Sequence, residues 1–275
     1  MDSIYAREPL PRVMPRSIFL AGPTPRSDIV TSWRPAATEV FRRNWFSGTL
    51  IIPEDRPDAD GVSRFRGNYD EQVAWELEAL QKASVIMAWV PRELVHMPAF
   101  TTNVEFGNWW DSGKLVYGAP IGTPGNRYIE WYVARSGMSA HRTLPDTITA
   151  ALRLLRQFED DATACAFCRI AHSDPQGQVE ITTDHGVVFT PLSPCVPGHK
   201  LVVPRLHIAS AADNPGIAAQ VFQDAATYVR DHGLQANLIT SVGPDATQTM
   251  FHLHVHIVPR SAGDGVLLPW SYQRH

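Results

Sequence analysis

Short apolar runs alternate with amphipathic stretches over residues 17–118. The amphipathic stretches carry apolar residues at helical intervals, whereas the runs between them are apolar throughout. Continuous apolar strands separated by helices are typical of a parallel sheet that helices cover on both faces, so we expect an α/β domain here. The expected strands are 17–22, 49–54, 84–90 and 114–117, and the expected helices are 33–46, 69–82, 103–112 and 144–158.

The pattern changes from residue 165 onward, where short alternating strands surround a single amphipathic helix. Such an arrangement indicates an α+β domain with an antiparallel sheet. The expected strands are 186–189, 200–203, 237–240 and 251–258, and the expected helix is 215–231. We expect a first domain at 1–158 and a second at 162–275, with a linker near residues 160–164.

Length and composition support two ordered domains. The chain has 275 residues, of which 44% are hydrophobic, and is longer than one typical domain of about 100–200 residues. Its 24 Lys and Arg residues against 28 Asp and Glu residues give a net charge of -4. This balance argues against a nucleic-acid duplex or an anionic membrane as partner, so we expect small-molecule ligands.

We expect a cytoplasmic protein. The longest apolar runs fall short of the roughly 18 residues that a membrane span needs. The first residues include acidic side chains and lack the apolar core of a signal peptide. Three cysteines in 275 residues also suit a reducing compartment.

Three histidines near the C-terminus, His252, His254 and His256, alternate with aliphatic residues. Because the side chains of a strand point to alternate faces, the three imidazoles should share one face while the aliphatic residues enter the core. Three imidazoles on one polar face predict a functional site. The alternative is a chance placement of histidines on a solvated strand face.

The segment 251–260 resembles the His-φ-His-φ-His-φ-φ signature of the histidine triad (HIT) family of nucleotide hydrolases and transferases, and the match extends over 194–207 and 237–249. The resemblance implies an α+β, HIT-like domain. In that family the central histidine attacks the α-phosphorus of a nucleotide and forms a nucleotidyl-histidine, so His254 would be the catalytic nucleophile. The substrate-binding residues that the resemblance implies are His256, His199, Asn237, Gln248 and Thr249.

Some positions leave alternatives open. His199 could support the nucleophile, or it could simply be held by the backbone of its loop. Pro191 stands where many relatives have an acidic or amide residue that holds the ribose, and Thr247 stands where Gly is frequent. The base preference is therefore not predicted.

Cys165 and Cys168 form a Cys-x-x-Cys pair, followed by His207 and His252. Two thiolates and two imidazoles match a closed tetrahedral zinc site, and some histidine triad proteins carry a structural zinc at the corresponding positions. We expect structural Zn²⁺ here, with a pair of reduced core thiols or a redox pair as alternatives. Cys195 is expected to be an unpaired small hydrophobic residue.

In the first half, Gly22 ends a strand in a Gly/Pro turn, where the chain can approach a ligand closely. Asn103 and Glu105 come early in the helix after strand 84–90, so Glu105 should lie in the first helical turn at the carboxyl edge of the sheet. A glutamate there could also simply favour the helix dipole. We place Gly22 and Asn103 among the substrate-binding residues.

The motifs at 19–23, 32–35, 52–54, 75–76 and 101–107 resemble those of the nucleoside 2-deoxyribosyltransferase-like family, and the match covers 17–133. The resemblance implies a flavodoxin-like sheet. A glutamate at the Glu-x-Gly position of that family attacks the anomeric carbon and expels the base, so Glu105 would be the nucleophile. Glu76 would position the sugar or protonate the base, unless it lies on a solvated helical face.

Together these features predict an enzyme that processes nucleotides or nucleosides, with a phosphate-cleaving site and an N-glycosidase or deoxyribosyltransferase site. One alternative is a nucleotide-binding sensor without turnover. Another is a glycohydrolase acting on a dinucleotide such as NAD. We expect no organic cofactor, and the resemblance to histidine triad proteins implies a homodimer.

Overall fold

The computed structural model describes residues 1–12, 14–27, 29–58 and 67–267. The chain divides into two compact units, Met1–Ser173 and Asp174–His275. Residues 160–164, which we expected to be a linker, belong to the last helical turns before Cys165. The predicted domain limits at 158 and 162 stay a prediction.

The first unit contains a parallel sheet of six strands in the order β1-β3-β2-β4-β5-β6. From β2 onward this is the flavodoxin-like order, with β1 added beside β3. The strands are β1 (Asp2–Tyr5), β2 (Ser17–Ala21), β3 (Thr49–Ile52), β4 (Val85–Trp89), β5 (Leu115–Gly118) and β6 (Ala140–His141). All residues of β2 and β4 are buried, as the continuous apolar runs predicted.

Among the described residues of this unit there are six helices: α1 (Arg34–Arg43), α2 (Tyr69–Lys82), α3 (Phe100–Trp109), α4 (Arg127–Arg135), α5 (Leu144–Ala164) and α6 (Ala166–Ser173). The α2 helix covers the predicted range, and the Asn68 side chain caps it by accepting a hydrogen bond from the backbone N–H of Asp70. The structure adds β1, α4, β6 and α6 to the predicted elements.

The α3 helix begins earlier than predicted. Its N-cap is Ala99, whose backbone is left-handed with φ 58°, and no side chain caps it. Glu105 consequently lies in the second turn rather than the first. The interpretation of Glu105 as a partner of the helix dipole loses support, because that interaction is confined to the first turn.

The second unit has an antiparallel sheet in the order β10-β11-β9-β8-β7. Its elements are β7 (Val179–Thr182), β8 (Gly186–Phe189), β9 (Lys200–Pro204), α7 (Pro215–Asp231), β10 (Ala236–Ile239), a short 3-10 helix (Pro244–Ala246) and β11 (Val255–Pro259). The aliphatic residues Leu253, Val255 and Ile257 enter a core with residues of α7, as predicted. The β11 strand is shorter than expected, so His252 and His254 precede it.

None of the helices described is both long and apolar enough to cross a membrane.

Candidate functional site

A backbone carbonyl orients the ring of His254. Its Nδ1 lies 2.8 Å from the carbonyl oxygen of His252. A carbonyl oxygen can only accept a hydrogen bond, so Nδ1 of a neutral His254 donates and Nε2 keeps its lone pair. The side chain is only 8% exposed. The structure thus holds one oriented imidazole with an unprotonated ring nitrogen in a largely buried position.

His199 and His256 form a second pair beside it. The backbone N–H of Cys195 donates to Nδ1 of His199 at 3.1 Å, so the proton of a neutral His199 resides on Nε2. That Nε2 lies 2.9 Å from Nδ1 of His256 and donates to it. His256 in turn keeps its proton on Nε2, which remains available as a donor.

Burial lowers the pKa of both residues in this pair. The pKa of His256 is lowered to about 4, mainly by burial and to a smaller extent by the neighbouring His254 and His199. Burial also lowers the pKa of His199. Both imidazoles are therefore neutral near pH 7, which maintains the order of donors and acceptors. The His254 and His256 ring centroids are 4.9 Å apart, so the two histidines face one small space.

Cys165, Cys168, His207 and His252 form a group that could bind a metal. Nε2 of His252 lies 3.0 Å from the carbonyl oxygen of Pro204, so it donates there and leaves Nδ1 to face a metal. Burial and the Cys165 thiol raise the pKa of Cys168. A divalent cation would stabilise the thiolates, and this donor set suits zinc.

Glu105 and Glu76 form a carboxylate pair in the first unit. Oε2 of Glu105 is buried and has no hydrogen-bond partner among the described residues. Burial, and then the charge of Glu76, raise the pKa of Glu105 to about 8, although Arg34 opposes them. Burial also raises the pKa of Glu76, whose Oε1 accepts a hydrogen bond from Nε2 of Gln72 at 2.7 Å. Carboxyl groups perturbed in this way are typical of catalytic sites.

Arg34 is a buried residue near these carboxylates that the sequence did not single out as a site residue. Its Nη1 lies 2.6 Å from Oε1 of Glu54, and its Nη2 donates to the carbonyl oxygen of Gly22 at 2.7 Å. The side chain of Ser32 donates to the same Glu54 carboxylate. Removing one partner of such a buried ion pair costs about 3–5 kcal/mol. Arg34 thus fixes the chain where β2 ends.

Both halves of the chain match known families. The family profile described as "Nucleoside 2-deoxyribosyltransferase like" matches residues 15–122, and the profile described as "HIT domain" matches residues 174–263. An uncharacterized HIT-like protein of Saccharolobus solfataricus is 34% identical over 109 residues, covering 36% of this chain and 76% of that protein. The chain belongs to the HIT family. Its HIT domain follows an N-terminal deoxyribosyltransferase-like domain.

Two further relatives match the HIT domain. The adenosine 5'-monophosphoramidase of Saccharomyces cerevisiae is 28% identical over 113 residues, covering 40% of this chain and 72% of that protein. A solved HIT family hydrolase from Clostridium thermocellum has 27% sequence identity and a TM-score of 0.34, covering 38% of this chain and 96% of that chain. The name of the yeast relative associates the family with nucleotide processing.

Both the nitrogen and the oxygen of the Gln248 side-chain amide form hydrogen bonds that hold a loop of the HIT domain. Nε2 of Gln248 donates to the carbonyl oxygens of Ala209 and Met250, and its Oε1 accepts from the backbone N–H of Gly243. The exposed Thr249 has no side-chain hydrogen bond among the described residues, so its hydroxyl is available to a ligand. Gln248 thus positions the loop, and the predicted substrate contacts of Gln248 and Thr249 stay predictions.

The side chain of Asn237 forms its described hydrogen bond with Arg260 and not with a histidine of the cluster. Its Oδ1 accepts a hydrogen bond from Nη1 of Arg260 at 2.6 Å, and Arg260 also pairs with Asp264. Asn237 pairs with Val258 in the β10–β11 register, whereas His256 pairs with Ile239. No hydrogen bond described in the HIT domain links Asn237 to the three histidines, so its predicted contact with phosphate stays a prediction.

Thr247 has a left-handed backbone conformation. Its φ is 64°, in the left-handed region that glycine adopts without strain. The threonine thus holds the strained conformation that a glycine at this position would favour. It lies just before Gln248, whose three hydrogen bonds help to maintain the loop.

Gly22 in the deoxyribosyltransferase-like domain lies where the neighbouring strands β2 and β4 end. Ligands of open α/β sheets bind at such a point of reversed strand order. A Cβ atom at Gly22 would lie 2.1 Å from the carbonyl oxygen of Trp89 and 2.8 Å from the ring of Trp33, and its φ is 148°. Only glycine fits this turn.

Replacing Gly22 with alanine should therefore destabilise the protein by about 3 kcal/mol or more, because the added methyl group meets backbone and ring atoms. Urea unfolding of full-length Gly22→Ala measures this effect. Gly107→Ala is the matched control, since no heavy atom of the described residues lies within 4 Å of a Cβ there. Equal stability of the two variants would contradict the account.

The structure does not place Asn103 in a hydrogen bond with Glu105 or Glu76. Its Oδ1 accepts from Nη2 of Arg92 at 2.5 Å, and it lines a cavity on another face of α3. Its predicted contact with the substrate of Glu105 stays a prediction.

Proposed function

We propose that the chain is a nucleotide-processing enzyme with two separate catalytic sites. The HIT domain cleaves or transfers at the α-phosphate of a nucleotide through His254. The deoxyribosyltransferase-like domain cleaves or transfers the N-glycosidic bond of a nucleoside or nucleotide through Glu105. The observation that supports this most directly is the hydrogen bond between Nδ1 of His254 and the carbonyl oxygen of His252, which leaves Nε2 with its lone pair.

In the HIT domain, Nε2 of His254 attacks the α-phosphorus, and the bond from phosphorus to the leaving oxygen or nitrogen breaks. The leaving group departs with that electron pair and takes up a proton. Water then attacks the nucleotidyl-histidine, releases the nucleotide and restores His254. Nε2–H of His256 and the hydroxyl of Thr249 donate to the phosphoryl oxygens, where negative charge develops.

In the N-terminal domain, the ionised Glu105 attacks the anomeric carbon and the glycosidic bond breaks. The base departs with the bonding electrons and takes up a proton from water, while the carboxylate of Glu76 positions the sugar. Water or a second base then opens the glycosyl ester. Gly22 and Arg34 support this site by fixing the chain at the end of β2.

We also propose that Cys165, Cys168, His207 and His252 hold a structural zinc ion. The carbonyl of Pro204 supports this, because it orients the ring of His252. Zinc in a site of four protein ligands contributes to folding and not to the reaction. The neighbouring segment contains His254, so loss of the metal should disturb the histidine cluster indirectly.

Replacing Cys168 with serine should lower the zinc content from about one ion per chain to near zero and reduce the unfolding temperature, because one of four ligands is lost. Elemental analysis and thermal unfolding of the purified full-length chain measure both quantities. Cys195→Ser is the matched control, since Cys195 lies outside the group. If Cys168→Ser kept its zinc, or if both variants lost it equally, the assignment would be wrong.

Product analysis tests the proposed function. The purified protein is incubated with nucleosides, mononucleotides, dinucleotides and nucleoside phosphoramidates, and the products are separated by mass-resolved chromatography. Release of a mononucleotide supports the histidine site, and release of free base supports the carboxylate site. Retention of a ligand with no product from any substrate would instead favour a sensor.

A further inference from the structure

A cavity of about 360 Å³ lies between α3 and α4. Four aromatic side chains line it: Phe106, Trp110, Tyr128 and Tyr132. The ring centroid of Tyr132 lies 5.0 Å from that of Trp110 and 5.4 Å from that of Tyr128, with tilted planes. Its volume falls within the range of about 300–1,000 Å³ that is typical of small-molecule sites.

This cavity lies on a different face of α3 from Glu105. It is lined by Asn103, Phe106 and Gly107 of α3 and by Trp110, which directly follows that helix. Their positions follow the i, i+3, i+4, i+7 spacing of a single helical stripe. Glu105 is two positions from Asn103 and thus about 200° around the helix axis. Glu105 is not among the lining residues, so the cavity is not part of the proposed glycosidase site.

Arg92 lies directly behind the lining and has no acidic partner among the described residues. Its side chain donates to the oxygens of Asn126 at 3.0 Å, Pro98 at 3.0 Å and Asn103 at 2.5 Å. All three acceptors are uncharged, and the residue is only 8% exposed. A buried cation without an anion is costly, so this guanidinium would gain from a negatively charged ligand.

Two lining residues connect Arg92 with the cavity. Asn103 lines it and accepts the hydrogen bond from Nη2 of Arg92. Gly125 also lines it, and a Cβ there would lie 3.4 Å from Cδ of Arg92. The α4 helix begins beside Gly125, and the side chain of its N-cap Asn126 does not cap it. The first turn of α4 therefore adds a positive helix terminus to the same wall.

We propose that this cavity binds a small planar aromatic compound carrying a phosphate or carboxylate group. The planar group packs against the aromatic wall that contains Trp110 and Tyr132, and the anion lies at the first turn of α4, where the charge of Arg92 behind the lining attracts it. The binding site is separate from both catalytic sites, and the proposal does not depend on the reaction at Glu105.

Photo-crosslinking of the full-length protein tests this site, with 2-azido-AMP as the anionic probe and 2-azidoadenosine as the uncharged probe. Tryptic peptide 128–135 lies within α4, whereas peptide 93–114 contains both α3 and Glu105. Label on both peptides therefore marks the cavity, and label on 93–114 alone would point to the site of Glu105. We expect saturable labelling of these peptides by the nucleotide, at least about tenfold stronger than by the nucleoside because of the charge–charge attraction.

Gly107→Leu should reduce this labelling at least about tenfold, because the new side chain fills the cavity. The backbone tolerates it, since no heavy atom of the described residues lies within 4 Å of a Cβ at Gly107. Asn108→Leu adds the same side chain at an exposed neighbouring position that does not line the cavity, and it should label like the wild type. Arg92→Gln should remove the preference for the nucleotide over the nucleoside.

Unchanged labelling of the two peptides in Gly107→Leu would overturn the proposal, as would equal labelling of the wild type by the two probes. Label confined to peptides of residues 174–275 would overturn it as well. A dimer that Gly107→Leu dissociates, without any labelling of peptides 93–114 and 128–135, would show that a second copy covers the cavity and would likewise refute a small-molecule site.

Discussion

Replacing His254 with alanine is expected to reduce release of mononucleotide from a nucleoside phosphoramidate by about 10³-fold or more, because the attacking nitrogen is lost. The His252 carbonyl orients only this imidazole, through the 2.8 Å contact with Nδ1. His256 cannot replace His254 as the nucleophile, since its Nδ1 accepts a hydrogen bond from His199 and its Nε2 carries the proton. Steady-state assays of wild type and variant measure the loss.

Rapid quenching followed by intact-protein mass spectrometry examines the same step. The wild type should gain the mass of one nucleotidyl group during turnover, and His254→Ala should gain none. His232→Ala is the matched control, since His232 lies at the C-terminal end of α7 and bonds only the carbonyl of Tyr228 among the hydrogen bonds described for it. Nucleotide release by His254→Ala at the wild-type rate would exclude His254 as the nucleophile.

Replacing Glu105 with glutamine should reduce release of free base by about 10³-fold or more, because an amide cannot attack the anomeric carbon. The pH dependence in the wild type should be unusual. The pKa of Glu105 is raised to about 8, so the ionised, nucleophilic form increases as the pH rises. We therefore expect kcat/KM for base release to increase about tenfold per pH unit below pH 8 and to level off above it.

Two variants test whether Glu105 and its neighbour Glu76 determine this pH profile. In Glu76→Gln the midpoint should move to lower pH, because the charge of Glu76 contributes to the raised pKa of Glu105. Glu71→Gln changes an exposed carboxylate on the same helix as Glu76 and should leave both rate and midpoint as in the wild type. A profile that is flat from pH 6 to 9 in the wild type would contradict an ionised Glu105 as the attacking group.

Much of the fold could be predicted because local pattern and tertiary environment agree. The α2 and α7 helices cover their predicted ranges, 69–82 and 215–231. In both, the capping residue and the spacing of apolar residues indicate the same helix. The sequence did not reveal β6, which has only two residues. It also left α4 unpredicted, although Ile129 and Val133 form a short buried stripe there. Two apolar residues one helical turn apart give only a weak indication of a helix in the sequence.

The histidine cluster shows what pattern alone misses. Strict alternation predicted three imidazoles on one face, yet β11 begins only at Val255, and His252 is fully buried with Nε2 on the carbonyl of Pro204. The resemblance implied a metal ligand at His252, and the metal-compatible group includes it. The contacts of Asn237 with Arg260 and of Glu54 with Arg34 join residues distant in sequence, so no local spacing reveals them. The homodimer and the cytoplasmic location stay predictions.

The most direct test of two separate catalytic sites is chromatography of all products formed by wild type, His254→Ala and Glu105→Gln from the same substrate panel. We expect His254→Ala to lose mononucleotide release and keep base release, and Glu105→Gln to show the reverse. Loss of neither product, or of both products in either variant, would contradict the account.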